Sequence, residues 1–293
     1  MELSLKHLTR KYGEKIAVDD FSAAFAPKVY GLLGANGAGK TTLMRLICDI
    51  LKPTSGSITL DGVGISSLDE SYREKLGYDP QRFGYYPDFT AESYMAYIAA
   101  LKGIGGAAAR NEARWLLEAV GLSDAAKRKI KTFSGGMQKR LGIAQAMLGD
   151  PAILILDEPT AGLDPKERVH FRNLISSFAP GKIVILSTHI VSDVEYIAAE
   201  IMMMRQGRLI RRGDARTITG IIADSVWEAV VAPDVAERAS AGMTVGNIRH
   251  EGGAVRLRIL SDKKPLDGAV RVEPNLEDLY LHYFEEAAES CAE

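Results

Sequence analysis

The stretch that decides the fold is Gly34-Ala35-Asn36-Gly37-Ala38-Gly39-Lys40-Thr41, which fits the phosphate-binding pattern G-x-x-x-x-G-K-[ST]. The apolar segment 29–33 before it suits a buried strand, and the segment 42–48, which lacks Gly and Pro, suits a helix. A strand then delivers the loop, and a helix N-terminus faces the bound anion. A glycine-rich turn that matches by chance is the alternative, and the flanking strand and helix argue against it.

The side chains of this loop predict the chemistry of its ligand. Its glycines permit close backbone approach, so that amide groups converge on phosphate oxygens. Lys40 supplies a cation for the β- and γ-phosphates of a nucleotide, and Thr41 offers a hydroxyl to Mg²⁺. We therefore expect ATP to contact Gly34, Ala35, Asn36, Gly37, Ala38, Gly39, Lys40, Thr41 and Thr42.

Two adjacent carboxylates, Asp157 and Glu158, follow the apolar run 153–156, which is predicted to be a central parallel strand. Open α/β sheets bind ligands at this end of their strands, and burying carboxylates there without a cation would be costly. We expect Asp157 to hold Mg²⁺ and Glu158 to accept a proton from the attacking water. The alternative is an ordinary helix start with acidic residues in its first turn.

The composition is that of an ordinary globular protein. The chain has 293 residues, of which 46% are hydrophobic and 25% charged, with a net charge of -2 and a pI of about 6.3. This charge balance argues against nucleic-acid binding driven by basic residues. Because no apolar run approaches the length of a membrane span, we expect a cytoplasmic chain whose partner supplies any membrane segments.

The pattern along the chain predicts an α/β fold in two domains. Residues 1–215 are expected to hold a P-loop NTPase core with a parallel sheet, antiparallel strands at the N-terminus, and a helical insertion at about 82–150. Within the insertion, helices are predicted at Ala91–Leu101, Arg110–Val120 and Met137–Leu148. Residues 216–293 are expected to form a small α/β domain.

Four further signals are weak when each is taken alone. Tyr12 suits either stacking on an adenine ring or packing beside the turn at residue 13, and spacing alone favours packing. Gln81, after a short strand, reads as a solvated loop residue. Ser134-Gly135-Gly136 is a helix start that offers a second anion-binding N-terminus. His189 ends a buried strand, where it is either structural or catalytic.

The C-terminal domain carries an apolar stripe on one helical face. Its members are Leu276, Leu279, Tyr280, Tyr283 and Phe284. The stripe is interpreted as the core of the small domain, and a docking or dimerisation face is the alternative.

Taken in this order, the elements of the first domain resemble the ATP-binding subunit of the ATP-binding cassette (ABC) transporter family. The resemblance implies that Tyr12 stacks on adenine and that Gln81 senses Mg²⁺ and contacts a transmembrane partner. It also implies that Ser134-Gly135-Gly136 is the family's signature segment. Asp164 matches the aspartate that communicates across the dimer, and His189 matches the histidine that senses the γ-phosphate.

The signature departs from the usual Leu-Ser-Gly-Gly-Gln and reads Phe133-Ser134-Gly135-Gly136-Met137. The Ser and both Gly residues, which the resemblance places on phosphate, are intact. This form, and the tail 274–280, resemble export-type members that pair with separate membrane subunits.

The resemblance implies a function that one chain performs only with a second. In the family two chains pair head to tail, and each ATP lies between one chain's phosphate loop and the other chain's signature. We expect an ATP-hydrolysing subunit, paired as a homodimer or a heterodimer, that powers a separately encoded permease from the cytoplasmic face of the membrane, as an exporter. The alternative is a non-transport ABC ATPase that regulates or scaffolds a membrane partner. A sensor that only binds nucleotide has no need of Glu158.

Overall fold

A computed structural model describes residues 1–81 and 84–284 and divides the chain into two compact units. The first is Met1–Arg212, and the second begins at Gly213, close to the boundary expected after residue 215. Residues 82–83 lie at the expected start of the helical insertion, and residues 285–293 end the expected C-terminal domain. Both segments are outside the described residues.

Two sheets build the first unit. Their strands are β1 (Leu3–Tyr12), β2 (Lys15–Phe25), β3 (Lys28–Leu33), β4 (Ser55–Leu60), β5 (Val63–Gly64), β6 (Leu76–Asp79), β7 (Ile153–Asp157), β8 (Ile183–Thr188), β9 (Glu200–Arg205) and β10 (Arg208–Gly213). One sheet has the order β2-β1-β4-β5 and antiparallel pairing. The other has the order β10-β9-β3-β8-β7-β6, and its pairs from β9 to β6 are parallel. The predicted α/β fold, with an antiparallel N-terminal sheet and a parallel sheet that carries the loop, is confirmed.

The helices of the first unit are α1 (Lys40–Ile47), α2 (Ile65–Leu68), α3 (Glu70–Arg73), α4 (Ala91–Leu101), α5 (Gly106–Ala119), α6 (Gly135–Met147), α7 (Pro165–Phe178) and α8 (Val191–Ile197). The insertion consists of α4, α5 and α6 with short 3₁₀ turns between them. Helix α5 begins earlier than expected because alanines of high helix propensity extend it toward its N-terminus. Helix α6 begins at Gly135 because the Ser134 hydroxyl accepts a hydrogen bond from the Met137 amide at 3.2 Å.

A single apolar cluster fixes the phosphate loop between the two sheets. Phe21 and Phe25 of β2 pack in one buried cluster with Met44 of α1 and Ile155 of β7. Every residue of β7 and β8 is buried, as the continuous apolar runs of these strands predict. The loop and the ends of both strands therefore rest on a closely packed support.

The second unit is a four-stranded sheet with three helices among the described residues. They are α9 (Ala215–Thr219), β11 (Val226–Val231), α10 (Pro233–Gly242), β12 (Thr244–Glu251), β13 (Ala254–Leu260), β14 (Val270–Arg271) and α11 (Leu276–Phe284). The sheet order is β12-β13-β11-β14. Of the predicted apolar stripe on α11, Leu276, Leu279 and Phe284 are buried, which favours the interpretation of the stripe as core.

Candidate functional site

The phosphate loop lies between β3 and α1, and two of its glycines have positive φ angles, +81° at Gly37 and +102° at Gly39. A Cβ atom on Gly39 would lie 2.1 Å from the carbonyl oxygen of Ala17, and one on Gly34 would lie 2.4 Å from that of Met204. Gly34 and Gly39 therefore pack too tightly to carry a side chain. The first turn of α1 contains no acidic residue, so the positive end of the helix dipole remains available to an anion.

Lys40 folds back along the loop that precedes it. Its Nζ donates to the carbonyl oxygens of Gly34 at 2.6 Å and Ala35 at 3.2 Å, and it lies 3.5 Å from Oε1 of Glu158. Burial lowers the pKa of Lys40, and the Glu158 carboxylate opposes that shift. The side chain is thus a buried cation at the place where phosphate charge is expected.

Asp157 lies at the end of β7, opposite Ser187 of β8 in the parallel register, and is fully buried. The Ser187 hydroxyl donates to Oδ1 of Asp157 at 2.6 Å. Oδ2 of Asp157 is also buried, and no described residue bonds to it. An unpaired buried carboxylate oxygen is costly, and oxygen is the ligand that Mg²⁺ prefers. This oxygen therefore fits the magnesium ligand predicted from the sequence.

Glu158 has a φ angle of +52°, which is unusual for a residue with a side chain. Its amide donates to two oxygens of Ser187, the carbonyl oxygen at 3.1 Å and the hydroxyl oxygen at 3.0 Å. His189 Nδ1 donates to Oε2 of Glu158 at 2.8 Å. A backbone in this region costs roughly 1–3 kcal/mol and is held only where its surroundings fix it. The result is a buried carboxylate aimed between Lys40 and His189.

A cleft of about 570 Å³ opens beside the loop. Its lining consists of Tyr12, Lys15, Ala17, Asn36, Gly37, Ala38, Gly39, Lys40, Thr41, Thr42, Gln81 and Glu158. Tyr12 is 44% exposed, and the Arg10 guanidinium lies 4.8 Å from the centre of its ring. One face of this ring is thus supported while the side chain remains open to the cleft, which suits stacking with a base.

The other predicted anion-binding segment is not part of this lining. Ser134 and Gly135 are exposed at the start of α6, and none of Ser134, Gly135 and Gly136 lines the described cleft. A Cβ atom on Gly135 would meet nothing within 4 Å, whereas one on Gly136 would lie 2.8 Å from the carboxylate carbon of Glu167. The same α7 residue donates its amide to Oδ1 of Asp164, at 2.8 Å, so Asp164 caps α7. Asp164 and the Ser134 segment are therefore near neighbours of Glu167.

Three residues in or beside the site were not predicted from the sequence. Ser187 joins Asp157 to the backbone of Glu158, and its only sequence signal is its place at the end of a buried strand. Lys15, at the start of β2 just after the turn that follows Tyr12, adds a second cation to the cleft. Lys139 of α6 donates from Nζ to the carbonyl oxygens of Gln81 and Glu158, each at 3.3 Å.

Comparison with known proteins gives a consistent result. A family model described as ABC transporter matches residues 21–161. The Nod factor export ATP-binding protein I of Burkholderia orbicola (strain AU 1054) is 33% identical over 285 residues, which cover 96% of this chain and 92% of the relative. The linearmycin resistance ATP-binding protein LnrL of Bacillus subtilis (strain 168) is 35% identical over 213 residues, covering 72% of this chain and 68% of the relative.

Solved structures agree with these relatives. A dimeric bacterial ABC transporter cassette superposes with a TM-score of 0.67 at 27% identity, covering 72% of this chain and 98% of that chain. The same cassette has been solved in a post-hydrolysis state bound to ADP and Pi, with a TM-score of 0.66 at 26% identity, covering 72% of this chain and 98% of that chain. In the described part of the chain, no helix combines the length and the apolar character needed to cross a membrane.

Proposed function

This chain belongs to the family of ABC transporter ATP-binding subunits and is an ATPase, and from that premise we propose that it powers a separately encoded membrane permease through an ATP-sandwich dimer. The permease is an export system, as the names of the relatives suggest. The subunit then lies at the cytoplasmic face of the membrane, held there by its permease. The dimer is formed by two copies of this chain or by this chain and a related subunit.

One observation supports the ATP-sandwich dimer above all others. The cleft beside the phosphate loop is lined by that loop, Tyr12, Lys15, Gln81 and Glu158, whereas the segment Ser134–Gly136, whose first two residues are exposed, lies outside the lining. Both segments combine glycines with a helix N-terminus, which is the arrangement that binds phosphate. Two half-sites that do not meet within one chain are completed by pairing with a second chain.

The chemistry follows from the groups around the cleft. The loop amides and Lys40 bind the β- and γ-phosphates, and Tyr12 orients the base. Glu158 accepts the proton of the attacking water, and His189 holds the carboxylate in place through its Nδ1 hydrogen bond. ATP binding favours the closed dimer because the second chain binds only the nucleotide-loaded face. Loss of the γ-phosphate removes that preference and opens the dimer.

Thr41 and Gln81 of the cleft, together with Asp157, which precedes the cleft residue Glu158, fit magnesium. Thr41, Gln81 and Asp157 would hold the ion, and the unpaired Oδ2 of Asp157 is the atom that supports this assignment. When bound, Mg²⁺ neutralises charge that develops on the phosphate oxygens. Ser187 prepares the site by fixing the other oxygen of Asp157, so that Oδ2 keeps one orientation.

Affinity purification of the tagged full chain from native membranes tests the partner. We expect a hydrophobic subunit with membrane-spanning segments to co-purify and to raise the ATPase rate when the pair is reconstituted in vesicles. Co-purification of a membrane protein that does not require this chain's ATPase to move solute would favour the regulatory or scaffold alternative. Recovery of the chain without any membrane subunit would contradict both.

A further inference from the structure

Helix α6 begins with the signature segment and then lies along strand β6, which leads to Gln81. A Cβ atom on Gly77 of β6 would lie 2.1 Å from the carbonyl oxygen of Ala146, so the strand and the end of this helix touch backbone to backbone. One residue further along β6, Gln145 Nε2 donates to the carbonyl oxygen of Tyr78 at 2.8 Å. The helix is therefore fastened to β6 at its C-terminal end.

The middle of the helix meets a buried carboxylate. A Cβ atom on Gly142 would lie 2.5 Å from Oδ1 of Asp79, so only glycine leaves room for this side chain. Asp79 is fully buried, and neither of its carboxylate oxygens has a hydrogen-bond partner among the described residues. Lys139 lies one turn before Gly142 on the same helix, so both residues lie on the same side of α6. The helix therefore places the lysine beside the end of β6.

At the N-terminal end of the helix, Lys139 joins two catalytic segments. Its Nζ donates to the carbonyl oxygen of Gln81 at 3.3 Å and to that of Glu158 at 3.3 Å. One residue thus ties the loop that follows β6 to the backbone of the catalytic carboxylate. Lys139 lies about 1.4 helical turns after Ser134, and no proline lies between them. A rigid helix therefore connects the segment offered to a neighbour with the chain's own cleft.

We propose that Lys139 is a positioning residue that transmits the engagement of Ser134–Gly136 with the neighbour's ATP to Gln81 and Glu158 of its own chain. The inference rests on the proposed sandwich dimer. When the N-terminus of α6 binds the neighbour's nucleotide, the helix shifts. Because Lys139 bonds to the carbonyl groups of Gln81 and Glu158, both groups move with the helix. Each site then reaches its reactive geometry only when the other is closed, so hydrolysis is cooperative in ATP.

Steady-state ATPase kinetics of the full chain test the proposal with Lys139→Met, which keeps the length of the side chain and removes its charge and donors. Lys75→Met is the matched control, because Lys75 is exposed before the start of β6. We expect Lys139→Met to lower kcat about tenfold, to change KM less than about twofold and to bring the Hill coefficient to about 1. Lys139→Arg, which keeps the charge and the donors, restores most of kcat.

Unchanged kcat and Hill coefficient in Lys139→Met would overturn the proposal. A merely structural lysine would instead lower the melting temperature and raise KM together with the loss of kcat, and arginine would not rescue the Hill coefficient. Should Lys139→Met not fold, the pair Asp79→Asn with Lys139→Met removes the buried carboxyl group together with the ammonium group, and wild-type cooperativity in that pair would also overturn the proposal. A non-cooperative wild type that forms no dimer with ATP would refute the sandwich itself, which is a different result.

Discussion

The two anion-binding segments of this chain are built in opposite ways. In the phosphate loop, backbone carbonyl groups lie too close to Gly34 and Gly39 to admit a side chain. Lys40 is buried, and its ammonium group donates a hydrogen bond to the loop backbone. In the signature segment, Ser134 and Gly135 are exposed, and a side chain on Gly135 would meet nothing. The phosphate loop is therefore enclosed by contacts within its own chain, whereas the start of the signature segment is accessible to another molecule.

This difference indicates where each segment finds its ligand. The phosphate loop lines a cleft with Glu158, the base proposed for hydrolysis, and His189 and the unpaired oxygen of Asp157 lie beside it. The open segment has a helix N-terminus with no catalytic group of its own, so it contributes binding to a site whose chemistry lies elsewhere. Substitutions in the two segments should therefore have separable effects on turnover, on ATP affinity and on dimer formation.

Removing the base should abolish turnover and leave binding intact. Glu158→Gln keeps the shape of the side chain but cannot accept the proton, so we expect hydrolysis to fall roughly 10²–10⁴-fold. ATP still binds, and gel filtration with ATP and Mg²⁺ should show a stable dimer. A monomer peak at saturating ATP would contradict the sandwich.

Removing the loop cation should act on affinity. Lys40→Ala deletes the buried ammonium group that faces the phosphates, so we expect the Kd for ATP to rise about 100-fold. Calorimetry measures this directly, with Lys75→Ala as the control for loss of an exposed lysine. Unchanged affinity would show that the loop is not the phosphate site.

Filling the open segment should act on the dimer alone. Gly135 has no positive φ angle and no neighbour for a Cβ atom, so Gly135→Leu is compatible with the fold of its own chain. In the Glu158→Gln background we expect it to prevent ATP-dependent dimerisation, and in the wild-type background to lower the ATPase rate about tenfold at unchanged single-chain affinity. Gly105→Leu, at another open helix start of the insertion, serves as the control.

Removing the aromatic side chain should act on the base and not on the phosphates. We expect Tyr12→Ala to raise the Kd for ATP about fivefold and to leave the affinity for inorganic triphosphate unchanged, because stacking on one aromatic ring contributes about 1 kcal/mol. Competition binding with ATP and with inorganic triphosphate separates the contribution of base stacking from that of phosphate binding. Equal losses for the two ligands would favour the alternative, in which Tyr12 only packs beside its turn.

The smallest effect concerns stability. Burial raises the pKa of Asp79 from 3.8 to about 7 in the folded chain, with the Lys139 charge acting against this shift. Because the folded chain binds this proton more tightly than the unfolded chain does, the protonated carboxyl group makes its full contribution to stability below pH 3.8. That contribution is lost progressively as the pH rises to about 7. Asp79→Asn should therefore raise the melting temperature of the nucleotide-free chain at pH 8 by about 3 °C or more, and by less at pH 4.5.

An exposed carboxylate controls for that measurement. Asp124→Asn, on the surface of the insertion, should leave the melting temperature unchanged at both pH values. Equal shifts for Asp79→Asn at the two pH values, or a lower melting temperature at pH 8, would show that Asp79 is not held in its neutral form by burial.

Regular elements and local motifs were predictable from the sequence, whereas contacts across the chain were not. Helix Ala91–Leu101 was predicted with the bounds that the structure gives, because Thr90 caps it and strong helix formers fill it. Strand β12 has no regular pattern in the sequence, since Gly246 and Asn247 interrupt it where its register with β13 shifts.

The same distinction separates the predicted site residues from those that were missed. The phosphate loop and the Asp157–Glu158 pair are contiguous motifs, so spacing is enough to find them. Ser187 acts because β8 lies beside β7, and Lys139 acts because α6 lies along β6. No local sequence pattern predicts that these elements lie side by side, so the roles of Ser187 and Lys139 could be found only in the folded structure.

The division between a closed half-site and an open one is tested most directly by the structure of the Glu158→Gln variant with ATP and Mg²⁺. We expect two chains related head to tail, with each γ-phosphate between the loop around Lys40 of one chain and Ser134 of the partner subunit. A terminal phosphate fully enclosed by a single chain, with residues 134–136 facing solvent, would contradict it.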